Sequence, residues 1–159
     1  MKFRLVHATE KDLPLILDLI RQLADYEKLS HAVVATEKIL RETLFERRAA
    51  EVVIGYSGDE PAGFAVFFRT FSTFLGVPGM YLEDLFVIPK FRRQGLGRQL
   101  LVHLARIADE RRYGRIEWSV LDWNELAIGF YTGLGATPMD DWTVFRLTGD
   151  SLRKLAGRD

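Results

Sequence analysis

A basic stretch with two closely spaced glycines is the part of this chain best suited to chemistry. It reads Val87-Ile88-Pro89-Lys90-Phe91-Arg92-Arg93-Gln94-Gly95-Leu96-Gly97-Arg98. The residues before it alternate as a strand does, and those after it are apolar at helical spacing. Backbone N–H groups at a helix start lack partners within the helix, and the helix dipole favours an anion there. Glycine lets a phosphate approach the backbone with no side chain between. Arg92, Arg93 and Arg98 add positive charge. The stretch is therefore expected to form a pyrophosphate cradle. A dinucleotide fingerprint would need a third glycine where Leu100 stands, and a Walker loop would need Gly-Lys-Ser/Thr, which is absent. A tight turn with a solvated basic face is the plain alternative.

The elements around this stretch follow from periodicity. Strands are expected at residues 2–7, 51–56, 63–71, 80–88, 115–121 and 143–147. Helices are expected from Thr9 to about Tyr26, after Thr36, over 95–112 and over 124–134, with a helical turn at 151–155. Pro89 ends the fourth strand, and Tyr113-Gly114 stops the long helix. The order describes an α/β domain with a mixed sheet.

Composition narrows the function classes. A length of 159 residues points to one domain, 1–159. The 22 basic and 22 acidic side chains cancel, which gives no support for a nucleic-acid or membrane partner. There is no cysteine, hence no disulfide, thiolate metal site or cysteine nucleophile. The opening residues alternate charge and hydrophobe without an apolar core, so a cytoplasmic protein is expected. No apolar run approaches the roughly 18 to 20 residues that cross a bilayer. His7, His31 and His103 have no metal-ligand spacing, and no Gly-x-Ser-x-Gly turn is present, so neither metal nor hydrolase chemistry is assigned. His103 lies off the apolar stripe of its helix and is expected to be solvated.

The spacing Arg92-x-x-Gly95-x-Gly97 resembles the coenzyme A signature of the GNAT acetyltransferases. Trp123-Asn124-Glu125-Leu126-Ala127-Ile128-Gly129-Phe130-Tyr131 resembles that family's second motif, and the element order matches over nearly the whole chain. The resemblance implies a GNAT fold, a mixed and mostly antiparallel central sheet flanked by helices, and acetyl-CoA as cofactor. It implies that the loop from Arg92 through Arg93, Gln94, Gly95, Leu96 and Gly97 to Arg98 holds the pyrophosphate. It implies that Leu85, Phe86 and Val87 pair with the pantetheine arm, and that Asn124 and Tyr131 also meet the coenzyme. Asn124 is equally suited to be a helix N-cap.

Three more segments are similar to the diamine branch, which includes spermidine/spermine and thialysine acetyltransferases. They are Tyr81-Leu82-Glu83-Asp84, Leu121-Asp122-Trp123-Asn124 and Leu23-Ala24-Asp25-Tyr26-Glu27. Ser72 stands where a polyamine enzyme is expected to carry an acid. The tail Arg153-Lys154-Leu155-Ala156-Gly157 is also more similar to the thialysine type. The branch implies a homodimer, and the aromatic-rich segment 64–74 with Trp142 and Phe145 offers apolar surface for one.

An alkylammonium must lose its proton before attacking a thioester, at a cost of about 4.6 kcal/mol at pH 7. The resemblance assigns Glu83 as the base, directly or through a water, and Tyr131 as the general acid toward the departing thiolate. Asp84 follows Glu83 on a strand, so both can line one pocket only where the strand is distorted. By analogy with the branch, Tyr26 and Glu27 bind the cationic substrate, with Trp142, Asp140 and Asp141 as weaker candidates. Each has a structural alternative: polar strand residues for Glu83 and Asp84, a core phenol for Tyr131, a fraying helix end for Tyr26 and Glu27. The activity expected is acetylation of a primary amine on a small molecule. A protein lysine or N-terminal acetyltransferase, and a non-catalytic coenzyme A-binding module, are the competing classes; intact Glu83 and Tyr131 argue against the last.

Overall fold

A computed structural model describes residues 3–158, so Lys2 of the expected first strand lies outside it. The chain divides into two compact units, one ending at Ser119 and the other beginning at Val120.

The first unit holds the sheet. Strand β1 is Phe3–His7, β2 Glu51–Ser57, β3 Glu60–Ser72, β4 Val77–Val87 and β5 Ile116–Trp118. They lie in the order β1-β2-β3-β4-β5. The first three pairings are antiparallel, and β4 runs parallel to β5. The sheet is thus mixed and mostly antiparallel, as expected.

Helix α1, Leu13–Tyr26, starts behind a short turn in which the Thr9 amide donates to Asp12 Oδ2 at 2.8 Å. It buries Leu13, Ile16, Leu17, Leu19 and Leu23 against Ile54, Phe64, Val66 and Phe86. Helix α2, Glu37–Leu40, is capped by Thr36 and continues as a π-helical turn over Arg41–Glu46. Its Leu40 joins the same core.

Helix α3, Leu96–Glu110, covers the opposite face. Side chains alternate across a strand, so the odd residues of β3 face away from Phe64 and Val66. There Gly55 and Gly63 are cross-strand partners and form a hollow for Leu96. A Cβ at Gly55 would lie 2.8 Å from Leu96 Cδ1, and one at Gly63 would lie 2.4 Å from the Phe86 carbonyl oxygen. The missing side chains let the start of α3 seat on the sheet. Its far end is tied by Arg111, which donates to both Glu51 carboxylate oxygens at 2.7 and 2.9 Å.

The second unit contains α4, Glu125–Gly133, and α5, Gly149–Leu155. The strand expected at 143–147 does not form. Alternation supplies two faces but no ladder partner, and a strand exists only by pairing. The fifth strand is also shorter than the expected 115–121.

Candidate active site

The cradle is built where β4 stops. Pro89–Phe91 makes a short turn, anchored by buried Phe91, whose ring meets Phe3 edge-on at 6.4 Å. Arg93 and Gly95 then take left-handed conformations, with φ of +63° and +91°. The amides of Arg93 through Arg98 donate to no acceptor among the described residues. Alternating handedness with free amides makes a concave nest suited to an anion. A Cβ at Gly95 would meet nothing within 4 Å, so the space before the nest is open. A cleft of about 430 Å³ adjoins it, with Gln94, Gly95 and Arg98 on its wall. These features fit the pyrophosphate of coenzyme A.

Strand β4 also offers a slot. It pairs with β5 only over Met80–Leu82, where the hydroxyls of Tyr81 and Ser119 share a hydrogen bond at 2.5 Å. Beyond Leu82, β4 has β3 on one side and no ladder on the other among the described residues. Leu85, Phe86 and Val87 lie on that half-paired stretch. Free edge amides and carbonyls there suit an extended amide chain.

The distortion that Glu83 and Asp84 required is present. Asp84 pairs with Val66 and Leu82 with Phe67, so Glu83 is an extra residue in a β-bulge. A bulge re-aims side chains that strict alternation would separate. Asp84 shares the face of Val66 under α1, and Glu83 is exposed. Burial first, then the charges of Glu83 and Glu27, push the Asp84 carboxyl up to about 7. Glu27 is raised too, by burial and then by Glu83. Three carboxylates therefore lie within electrostatic reach of one another. None makes an ion pair among the described residues.

The end of α1 that carries Glu27 is closed rather than frayed. Lys28 takes φ of +61°, Leu29 donates its amide to Ala24 at 2.8 Å, and Lys28 donates to Asp25 at 3.1 Å. This paired set of bonds satisfies the last carbonyls and fixes Tyr26 and Glu27. The Arg92 guanidinium lies over the Tyr26 ring, 4.6 Å from its centroid, and its Nε donates to the Val87 carbonyl at 2.9 Å. The sequence marks Arg92 by its charge and by its place in the coenzyme signature; nothing in local spacing announces a ring contact with α1.

Ser72 is buried, and its hydroxyl accepts the Leu75 amide at 3.1 Å. It caps the turn after β3. His103, expected in solvent, is half-buried; its Nε2 is enclosed without a hydrogen-bond partner among the described residues, and its ring centroid is 5.6 Å from that of His7. Contact with β1 through His7 explains the difference.

In the second unit, Asn124 is the N-cap of α4, accepting the Ala127 amide at 3.3 Å. Tyr131 stands two turns further on, on the same face. It is half-buried, with its ring 5.5 Å from that of Phe130. Trp142 is 76% exposed, and Asp140 and Asp141 are exposed beside it.

The acetyltransferase (GNAT) family pattern matches residues 17–136, and the chain belongs to that family. It is a GNAT-family N-acetyltransferase, a family whose enzymes use acetyl-CoA as acyl donor. It is 36% identical to a thialysine N-epsilon-acetyltransferase of Caenorhabditis elegans over 97% of each chain. It is 33% identical to an L-ornithine N5-acetyltransferase of Arabidopsis thaliana, covering 93% of this chain and 85% of that one. Among solved structures, an integron cassette protein from the mobile metagenome of V. cholerae superimposes with a TM-score of 0.81 at 28% identity, over 98% of each chain. No helix among the described residues is long and apolar enough to cross a membrane.

Proposed function

We propose that this enzyme moves the acetyl group of acetyl-CoA directly to the primary amine of a small molecule that carries a second polar or cationic group. Thialysine-like and ornithine-like amino acids are preferred over long polyamines. The observation that carries this reading is the cluster of Glu27, Glu83 and Asp84, which has no cationic partner among the described residues. A cluster of like charges is relieved by an incoming cation. Relatives that act on thialysine and ornithine support the amino-acid class. Ser72, spent on a turn, adds no acid for a longer polycation.

Acetyl-CoA supplies the thioester. Its pyrophosphate would be held by the amides of Arg93 through Arg98, its pantetheine by Leu85, Phe86 and Val87, with Asn124 a further contact. Tyr26, Glu27 and Asp84, with Trp142, hold the amine. Glu83 takes the ammonium proton, directly or through a water, and the Tyr131 hydroxyl donates one to the departing sulfur. A second reading of the base is favoured by one observation: Asp84 titrates at about 7, close to the working pH of a general base. The working unit is a homodimer in the cytoplasm.

The test is thiol release from acetyl-CoA with thialysine, ornithine, lysine, spermidine, spermine and a lysine-containing peptide. The expected order of kcat/KM puts thialysine and ornithine above spermine. A peptide as the best acceptor would establish the protein-modifying alternative, and spermine as the best would overturn the amino-acid class. In Asp84→Asn, loss of the acidic limb of the pH–rate profile would move the base from Glu83 to Asp84.

A further inference from the structure

We propose that Arg92 is a positioning residue that straps the coenzyme cradle to the end of α1, so that the nest and the acidic cluster form as one unit. Its Nε bond to the Val87 carbonyl, at 2.9 Å, spans the turn at Pro89 and fixes the side chain. Its guanidinium carbon is 4.6 Å from the Tyr26 ring centroid and 5.6 Å from that of Phe86. The two rings lie 6.4 Å apart at 54°, so one cation engages both. Tyr26 is the last residue of α1 and precedes Glu27; Phe86 lies two residues beyond Asp84 on β4.

Arg92 makes no ion pair among the described residues. Ring faces and a carbonyl hold it, which leaves the nearby carboxylates un-neutralised for a substrate cation. A planar guanidinium stacks on an aromatic face while its Nε donates to a carbonyl, a double engagement that the compact ammonium of lysine does not reproduce. The strap therefore depends on Arg at this place and on an aromatic ring at residue 26. Any shift of the α1 end is passed to the loop that opens α3.

The test uses the full chain without amine, and only its binding arm rests on the coenzyme reading above. Calorimetry with acetyl-CoA is expected to show about three- to tenfold weaker binding in Tyr26→Leu, the range of a partly desolvated cation–π contact. Tyr26→Phe, which keeps the ring, is expected to stay within about twofold of wild type. In an Arg92→Gln background, Tyr26→Leu should add little, since the cation is already removed. In the free chain, the hydrogen-bonded amides that flank the nest, those of Phe91, Arg92 and Gln99, should exchange faster in Tyr26→Leu and not in Tyr26→Phe. Wild-type binding and unchanged exchange in Tyr26→Leu would overturn the strap. A wild-type chain that ignores acetyl-CoA would instead sink the coenzyme reading, and the exchange contrast alone would then decide the strap.

Discussion

Glu83 and Asp84 are neighbours on β4 that oppose each other electrostatically: the charge of the first helps hold the proton on the second. Burial is the larger cause, and Glu83 and then Glu27 add to it. The bulge that makes Glu83 an extra residue puts its charge beside a carboxyl packed on the face of α1. Near neutral pH the Asp84 carboxyl is therefore close to half protonated, poised to take or give a proton.

This arrangement sets a pH dependence of stability. Folded Asp84 keeps its proton to about 7, whereas the ordinary value is 3.8. Between those values the folded state binds more protons than the unfolded one, so stability falls as pH rises. The contribution is complete below about pH 4 and lost above about pH 7. Glu27, raised from its ordinary value, acts with the same sign. Urea unfolding of Asp84→Asn should show a flatter dependence, by up to about 1.4 kcal/mol per pH unit in that window. Parallel wild-type and variant curves would show that Asp84 titrates normally.

The glycine pair under α3 gives a comparison between two variants. In Gly55→Ala the new methyl meets the far end of the Leu96 side chain, which can turn aside. In Gly63→Ala it meets the Phe86 carbonyl and the Val87 Cα, at 2.4 and 3.1 Å, where only the backbone can yield. Overpacking of this kind costs about 1–3 kcal/mol. Gly63→Ala should fall at the upper end or beyond, and Gly55→Ala at the lower end. Because β4 and the start of α3 move together, Gly63→Ala should also weaken acetyl-CoA binding. Equal melting temperatures for the two variants would contradict the packing argument.

The hairpin of β3 and β4 reaches past its neighbours, since β2 pairs only to Phe67 and β5 only from Met80. Phe71 is 64% exposed and Phe74 fully exposed on this projection. Burial against a second copy would remove that apolar surface from water. Light scattering is expected to give twice 18.3 kDa at micromolar concentration. Phe74→Asp is expected to shift the mass toward the monomer. A monomer mass for the wild type would rule out the dimer.

The glycine turn that opens α3 was legible because its conformation demands a residue type: the left-handed position at residue 95 suits glycine. Helix α3 was legible because Leu96, Leu100, Leu104 and Ile107 recur on one face. The bulge was not, since Leu82-Glu83-Asp84-Leu85 carries no mark of a slipped register. Nor was the left-handed Arg93, for which glycine would be the usual signal. The strap from Arg92 to Tyr26 joins residues distant in sequence, and only the tertiary fold brings them together. At residues 143–147, alternation promised a strand whose ladder is absent.

The last prediction separates the two proton transfers. Negative charge develops on sulfur as the thiolate leaves, and a phenol placed to donate stabilises that charge in the transition state. Such help is typically worth about a hundred- to ten-thousandfold in rate. Tyr131→Phe should lower kcat by that order, while acetyl-CoA affinity measured by calorimetry stays nearly intact, because the hydroxyl acts mainly in the transition state. Glu83→Gln removes the acceptor for the ammonium proton. Its rate should recover as pH rises toward the amine pKa of about 10.4, where the free base is supplied by solution. The rate of Tyr131→Phe should show no such recovery. Near-full turnover by Tyr131→Phe, with chemistry shown to be rate-limiting by a solvent isotope effect, would make the hydroxyl structural and pass the acid role to water.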